Sequence, residues 1–185
     1  MENQRVRLTK TLLRESLLDL LKEKGITKIS VREICEHAQI NRSTFYRYYE
    51  NQYDLLADIE DQFATNVQEI VESEDTEEEN HLVKLLAYMN DNADLCRLLF
   101  NGEVHFDSVD RILELPKIRE RLNVITDGDE DGGRSYADEF IIGGSERIIT
   151  SWINKDMREP PEEMAEIVQT YAAQGCGATS FSYGR

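Results

Sequence analysis

The sequence predicts an all-α protein: three short N-terminal helices forming a small head, a longer fourth helix leading out of it, and a helical body, about nine helices in all. Three observations predict this. Apolar residues recur at spacings of three and four through successive segments of the 185-residue chain. Only three prolines and ten glycines interrupt those segments. Helix-start chemistry stands where the periodic runs begin, most clearly Ser30 followed by Glu33 and Pro160-Pro161 followed by Glu162 and Glu163.

The first helix is expected over residues 10–24, with Thr9 as N-cap and Leu13, Leu17, Leu20 and Leu21 on one face. Lys22 and Lys24 suit its C-terminal end, and Gly25 suits the C′ position. Ile26, Ile29 and Val31 then lead through the Ser30 cap into a second helix that turns Ile34 and Ala38 inward. Ile40 plugs the core at the following turn, and Asn41 caps a third helix over 42–49. That helix buries Phe45 and Tyr49 one turn apart and leaves Arg42, Ser43, Tyr46 and Arg47 outside.

The fourth helix, over 53–71, places Leu56, Ile59, Phe63, Val67 and Ile70 in one stripe. Its start belongs to the head and its end to the body, so it is a mechanical route between them. Residues 72–79 carry six carboxylates in eight positions, the pattern of a solvated linker. The body then opens with a helix over 80–92, with Leu82, Leu85, Leu86 and Met89 inward, and a short helix over 94–100. Asn101-Gly102 marks a turn; Phe106, Val109, Ile112 and Leu113 begin a further helix that Pro116 kinks or ends, and 117–122 resume it.

Residues 126–133 are a loop. Asp127, Asp129, Asp131 and Gly132 fall on positions 1, 3, 5 and 6 of a calcium loop, with Asp138 at position 12. The match is partial: Asp replaces the bidentate Glu, and Arg134 stands where such loops place an inward apolar residue. A plain interhelical loop is the favoured reading, and no metal or cofactor is expected. The last two helices are expected over 135–154, with Phe140, Ile141, Ile148, Ile149, Trp152 and Ile153, and from Pro161 onward, with Met164, Ile167, Val168 and Tyr171. Gly143 and Gly144 inside the former each cost about 1 kcal/mol relative to Ala, so close approach of another helix is expected there. The pair fits either a two-fold interface, as four helices with their symmetry mates, or burial against the same subunit. From residue 174 the tail has no periodicity and is expected to be disordered.

These elements group into three stretches: a helix-turn-helix head over 1–52, a helical regulatory and dimerisation body over 53–173, and the tail over 174–185. No run of 18 apolar residues spans a bilayer, and the first residues lack the apolar core of an export signal, so a cytoplasmic location is expected. Cys35, Cys96 and Cys176 have no metal-ligand spacing and are too scattered for a disulfide framework. His37, His81 and His105 stand apart and yield no nucleophile, base and orienting group, so no catalytic residue is assigned.

The net charge of −16 argues against a nucleic-acid binder until it is divided by position. Residues 1–56 hold ten Lys/Arg against eight Asp/Glu, a net +2, whereas residues 57–185 hold eleven against twenty-nine, a net −18. Such a molecule is repelled by DNA everywhere except at its head, which orients docking and weakens non-specific binding. A compact bihelical unit that presents its second helix is what a major groove accepts, so the head is expected to read double-stranded DNA. Arg5, Arg7 and Lys10 precede or open the first helix and suit either an arm along phosphates or a solvated terminus.

With these residues in place, the chain resembles TetR-type bacterial transcriptional regulators. The run STFYRYYENQYDLL over 43–56 is similar to that family's most diagnostic motif. The body resembles a C-terminal domain common in Firmicutes, through Leu98-Leu99, Asn101-Gly102, Phe106, Phe140-Ile141-Ile142-Gly143-Gly144, Ser151-Trp152-Ile153 and Pro161-Glu162-Glu163-Met164. The resemblance implies a homodimer on an inverted-repeat operator, with DNA contacts at Ser30, Arg32, Asn41, Arg42, Ser43, Thr44, Tyr46, Arg47 and Tyr48, and the charge of Lys10 adds a further candidate for phosphate contact. Arg42, Ser43 and Thr44 suit base edges, Tyr46 and Tyr48 suit phosphates, and Arg47 suits either. Two positions depart from the family pattern. Gln39 stands where a Gly is common, so a left-handed backbone there has to be held without it. Gln52 stands where a Lys is common, which leaves the N-terminus of the fourth helix to meet a phosphate with backbone N–H groups.

The expected function is a dimeric repressor released by an effector. The alternative is a regulator of the same fold that activates, or that answers to a protein partner. An effector pocket is expected among Phe63, Tyr88, Met89, Phe100, Phe106, Phe140 and Trp152, although aromatic residues at helical spacing fill cores first. A dimer interface is expected at Phe140, Gly143, Gly144, Ile148, Trp152, Met164, Ile167, Val168 and Tyr171.

Overall fold

The computed structural model describes residues 4–73, 79–100 and 136–176. Among these, eight α-helices and one 3-10 turn appear, and no strand: α1 (Gln4–Glu23), the 3-10 turn Ile26–Lys28, α2 (Val31–Ala38), α3 (Arg42–Phe45), α4 (Gln52–Glu72), α5 (Glu79–Asp91), α6 (Ala93–Phe100), α7 (Tyr136–Asn154) and α8 (Pro161–Cys176). The helices expected over 106–122, the loop over 126–133 and Phe106 lie outside the described residues.

α1 begins six residues before the expected start. Thr9 is therefore interior rather than a cap, and its Oγ1 donates back to the Arg5 carbonyl at 2.9 Å, an arrangement Thr adopts inside helices. Arg5 and Arg7 stand on that helix rather than on a separate arm. Gly25 also departs from expectation. It is extended (φ −61°, ψ 154°) and starts the 3-10 turn, so its lack of a Cβ is not what ends α1.

The head is a closed core of Leu13 and Leu17 from α1, Ile29, Ile34 and Cys35, then Phe45 and Tyr49, and finally Leu55, Leu56 and Ile59 from α4. Burying each such side chain contributes about 1.5–3 kcal/mol, and directional bonds add to that. One is the buried Ser16 hydroxyl of α1, which donates to the Ile34 carbonyl of α2 at 2.9 Å.

The body core gathers Phe63, Val67 and Val71 from α4, Leu86 and Met89, Cys96 and Leu99, Trp152, Ile153 and Met157, and Met164, Ala165 and Val168. α8 packs against both α5 and α7. As expected, α4 is shared between the two cores, although its stripe ends on Val71 rather than on the half-buried Ile70. A second shared element has no signal in the sequence: α6 sends Leu98 into the head core and Cys96 and Leu99 into the body core. On the surface beside it, Lys22 of α1 meets Asp94 of α6 at 2.9 Å.

α7 turns into α8 through Asp156 (φ 63°) and Met157 (φ 48°), two consecutive left-handed residues. Burial of Met157 and the Trp152 indole N–H, which donates to the Glu159 carbonyl at 3.0 Å, hold this turn against its backbone cost. α8 continues through Cys176, past residue 174 where the disordered tail was expected to begin.

Candidate DNA-reading interface

The reading segment hangs between two anchors. At the first, α2 ends on Gln39 in the left-handed region (φ 56°, ψ 37°), its N–H directed at the carbonyls of Cys35 and Glu36. Ile40 N–H returns to the Cys35 carbonyl at 2.9 Å, which turns its side chain onto the head core. The left-handed turn thus forms without a glycine. Asn41 follows in extended backbone and receives Thr44 N–H and Phe45 N–H on its carbonyl, while its side chain makes no capping bond and remains exposed.

α3 is four residues long, shorter than the 42–49 helix expected. The chain coils on through tighter bonds, Arg47 N–H to Thr44 carbonyl and Tyr48 N–H to Phe45 carbonyl, before Tyr49 N–H returns to Phe45 carbonyl at 3.0 Å. Phe45 and Tyr49 are buried with ring centroids 5.6 Å apart, and Tyr46 stands edge-on to Phe45 with its ring 58% exposed. This alternation leaves Asn41, Arg42, Ser43, Tyr46 and Arg47 exposed, with Thr44 and Tyr48 partly covered. Lys10 is likewise half-covered on α1.

Ser30 and Arg32 at the start of α2 are exposed but engaged. Ser30 Oγ receives Glu33 N–H at 3.3 Å, and the Glu33 carboxylate receives Ser30 N–H at 2.9 Å and its hydroxyl at 2.8 Å, completing the capping box. Lys24 reaches the same carboxylate at 2.5 Å. That ammonium, then the bonds from Ser30, hold the Glu33 carboxyl well below the usual range, at about 2. Arg32 Nε lies 2.6 Å from Glu36 Oε1, and its exposed guanidinium carries further N–H donors on the terminal nitrogens.

At the second anchor, Asn51 Oδ1 receives both Tyr53 N–H and Asp54 N–H, at 2.9 and 3.1 Å, and Asp54 Oδ2 receives Glu50 N–H at 2.9 Å. Of the amide groups at the start of α4, those of Tyr53 and Asp54 thus serve the cap. One cluster of residues escaped the sequence reading. The Tyr49 hydroxyl donates to Asp58 Oδ2 at 2.6 Å, and Arg14 Nε donates to the same oxygen at 2.8 Å. Arg14 and Asp58 lie 44 positions apart on different helices, so no local spacing signals the pair.

In the body, Phe63, Met89 and Trp152 are core residues with Tyr88 and Phe100 packed against them. Asn66 Nδ2 donates to the Tyr88 hydroxyl at 2.9 Å, beside a Phe63–Tyr88 ring contact of 5.4 Å. Phe140 does not belong to this group: it is 67% exposed, which removes it from an interior pocket wall. The interface expectation divides in the same way. Trp152, Met164 and Val168 are consumed by the protomer's own core, with Ile148 and Ile167 packed against it, whereas Phe140 and Tyr171 are exposed. Gly143 and Gly144 have nothing within 4 Å of where a Cβ would stand, so the helix expected to approach them does not come from the described residues. Asp138 is buried in the first turn of α7, the other calcium-loop positions lie outside the described residues, and no metal-holding group of His, Cys, Asp or Glu occurs among the described residues.

Comparison with known proteins gives this geometry a family. The model of bacterial regulatory proteins of the TetR family matches residues 13–59, and a transcriptional regulator C-terminal region of TetR type matches residues 76–174. The dhaKLM operon transcriptional activator DhaS of Lactococcus lactis is 31% identical over 101 residues, 54% of this chain and 53% of that protein, so the chain spans about half the length of this relative. A TetR transcriptional regulator from Streptococcus agalactiae superposes with a TM-score of 0.70 over 91% of this chain and 96% of that one, at 21% identity. FadR from Bacillus subtilis, solved with stearoyl-CoA, gives 0.60 over 89% and 98%, at 18% identity. These two likenesses show the fold. No described helix is long and apolar enough to cross a membrane. The chain belongs to the TetR family of helix-turn-helix transcriptional regulators.

Proposed function

We propose that this regulator acts in the cytoplasm as a homodimer on an inverted-repeat operator and represses until an effector reaches its body. The reading segment carries the proposal. Phe45 and Tyr49 fix it to the head core while Arg42 and Ser43 stand exposed, and Thr44 partly so, at the start of α3, the end that meets base edges in a helix-turn-helix. Tyr46, Tyr48, Arg47, Arg32, Asn41, Ser30 and Lys10 surround them as phosphate partners. Dimerisation rests on the exposed Phe140, Gly143, Gly144 and Tyr171. Two helix glycines whose Cβ positions meet no described residue gain by accepting a second copy's helix against their bare backbone.

Selection of bound duplexes from a random library tests this reading. Enrichment of an inverted repeat whose half-sites stand one helical turn or a multiple apart supports it, and absence of any enriched repeat sinks it.

The relation to the transcriptional activator DhaS supports a second reading, in which the same head recruits rather than blocks transcription; a body that answers to a protein partner is the other form of that alternative. For an effector pocket, Phe63, Tyr88, Met89, Phe100 and Trp152 supply apolar surface, with Asn66 and the Tyr88 hydroxyl as the polar group among them. Transcription in vitro from a promoter carrying the selected repeat separates the readings: added protein lowers the transcript under the first and raises it under the second.

A further inference from the structure

We propose that Asp58 is a positioning residue for DNA reading, a latch through which α4 sets the orientation of the reading segment. The inference rests on the DNA-reading function above and assigns a device that controls it. A single carboxylate oxygen, Asp58 Oδ2, joins three elements: the Tyr49 hydroxyl donates to it at 2.6 Å from the exit of the reading segment, and Arg14 approaches from α1 with Nε at 2.8 Å and its terminal nitrogen at 2.7 Å.

The reading segment needs such a device. α3 has only four residues, Asn41 supplies no side-chain cap, and the backbone tightens beyond Phe45. Packing of the Phe45 and Tyr49 rings holds the segment against the core, but apolar contact is non-directional and leaves it free to tilt. The bond at the tip of Tyr49 is directional and charge-assisted, and it fixes the tilt. Arg14 compensates the carboxylate in a setting where both side chains are only about a quarter exposed, at 25% and 28%.

Location makes the latch a control point. Asp58 lies on α4 next to Ile59, the last α4 residue in the head core, and five positions before Phe63, the first in the body core. Motion of α4 driven from the body displaces the acceptor oxygen directly. A slide or rotation of about an ångström carries a 2.6 Å bond beyond bonding distance and releases Tyr49.

The test compares Tyr49→Phe, Asp58→Asn and Asp58→Ala with wild type on a selected operator and on an unrelated duplex, with thermal unfolding measured alongside. Tyr49→Phe keeps the ring and removes only the hydroxyl. It is expected to lose about tenfold in operator affinity, to bind the unrelated duplex within twofold of wild type, and to unfold near the wild-type temperature. Asp58→Ala is expected to lose as much, the double variant no more than either single one, and Asp58→Asn, which keeps an acceptor, is expected to recover part of the loss. Tyr49→Phe with wild-type operator affinity and an unchanged ratio between the duplexes overturns the latch alone. So does Asp58→Ala weakening both duplexes in parallel. A wild-type protein that selects no duplex overturns the DNA-reading function and the latch with it.

Discussion

Ile59 and Phe63 stand one turn apart on α4, yet Ile59 closes the core of the head and Phe63 opens the core of the body. A single rigid helix therefore registers strain in either core. Truncating each residue is expected to destabilise the protein, by about 2–5 kcal/mol for Ile59→Ala and about 3–5 kcal/mol for Phe63→Ala. The regional effect differs: hydrogen exchange should quicken first in α1 and α2 for Ile59→Ala, and in α5 and α8 for Phe63→Ala. Equal loss of protection in both regions for both variants contradicts two cores joined by one helix.

Arg42 and Tyr46 are both exposed on the reading segment but have different chemistry. Arg42 presents a planar fork suited to a purine edge, and Arg42→Ala is expected to reduce discrimination at one operator position by about 1–3 kcal/mol. Tyr46 has one hydroxyl suited to a phosphate, so Tyr46→Phe should weaken all duplexes alike. Competition binding with singly substituted operators measures both. Sequence-dependent loss in Tyr46→Phe, or uniform loss in Arg42→Ala, reverses these roles.

Features set by local pattern were legible in the sequence. The Ser30–Glu33 box, the Phe45 and Tyr49 pair and the α4 stripe each lie within one or two turns, where the chemistry of neighbours decides the outcome. Features set by distant partners were not. Nothing near Asp58 in sequence announces Arg14, and nothing near Leu98 announces that α6 serves two cores. Trp152 and Met164 show the remaining difficulty: an apolar face at helical spacing looks the same whether its partner is the same subunit or a second copy.

Glu33 makes the head sensitive to acid. Its folded-state carboxyl lies near 2 against an ordinary 4.5, because Lys24 and Ser30 hold the charged form. A carboxyl lowered on folding stabilises the fold in full above about 4.5, and that contribution is lost as pH falls from there to about 2. Chemical denaturation at stepped pH should show wild-type stability declining through this window, and Glu33→Gln should decline less steeply. Parallel curves for the two proteins remove Glu33 from the acid response.

Gln39 holds a left-handed backbone that an L side chain adopts only at a cost, and its side chain is exposed. Gln39→Gly is expected to stabilise the protein by about 1 kcal/mol, less what glycine adds to the freedom of the unfolded chain. At this chain length the corresponding rise in Tm is about 2–4 °C or less. Gln39→Val is expected to lower Tm, since a β-branched residue suits that backbone least. A fall in Tm for Gln39→Gly shows that the Gln39 side chain matters more than its backbone angle.

Phe140 on α7 and Tyr171 on α8 expose 67% and 61% of their surface, and α7 also carries Gly143 and Gly144, whose Cβ positions meet no described residue within 4 Å. Large aromatic side chains so exposed beside open backbone are what an association surface requires. A charge placed there meets water in the monomer and an apolar partner in the dimer, so Phe140→Glu and Tyr171→Glu should dissociate the dimer with little change in helix content. Gly143→Ala probes the same surface from the backbone side: its Cβ meets no described residue within 4 Å, it gains helix propensity, and it obstructs close approach of a second helix. Sedimentation velocity should give a dimer for wild type and monomers for all three variants. Operator affinity should fall with dissociation, because two half-sites are then read by separate molecules instead of one. Three variants that remain dimeric place the interface elsewhere on the chain.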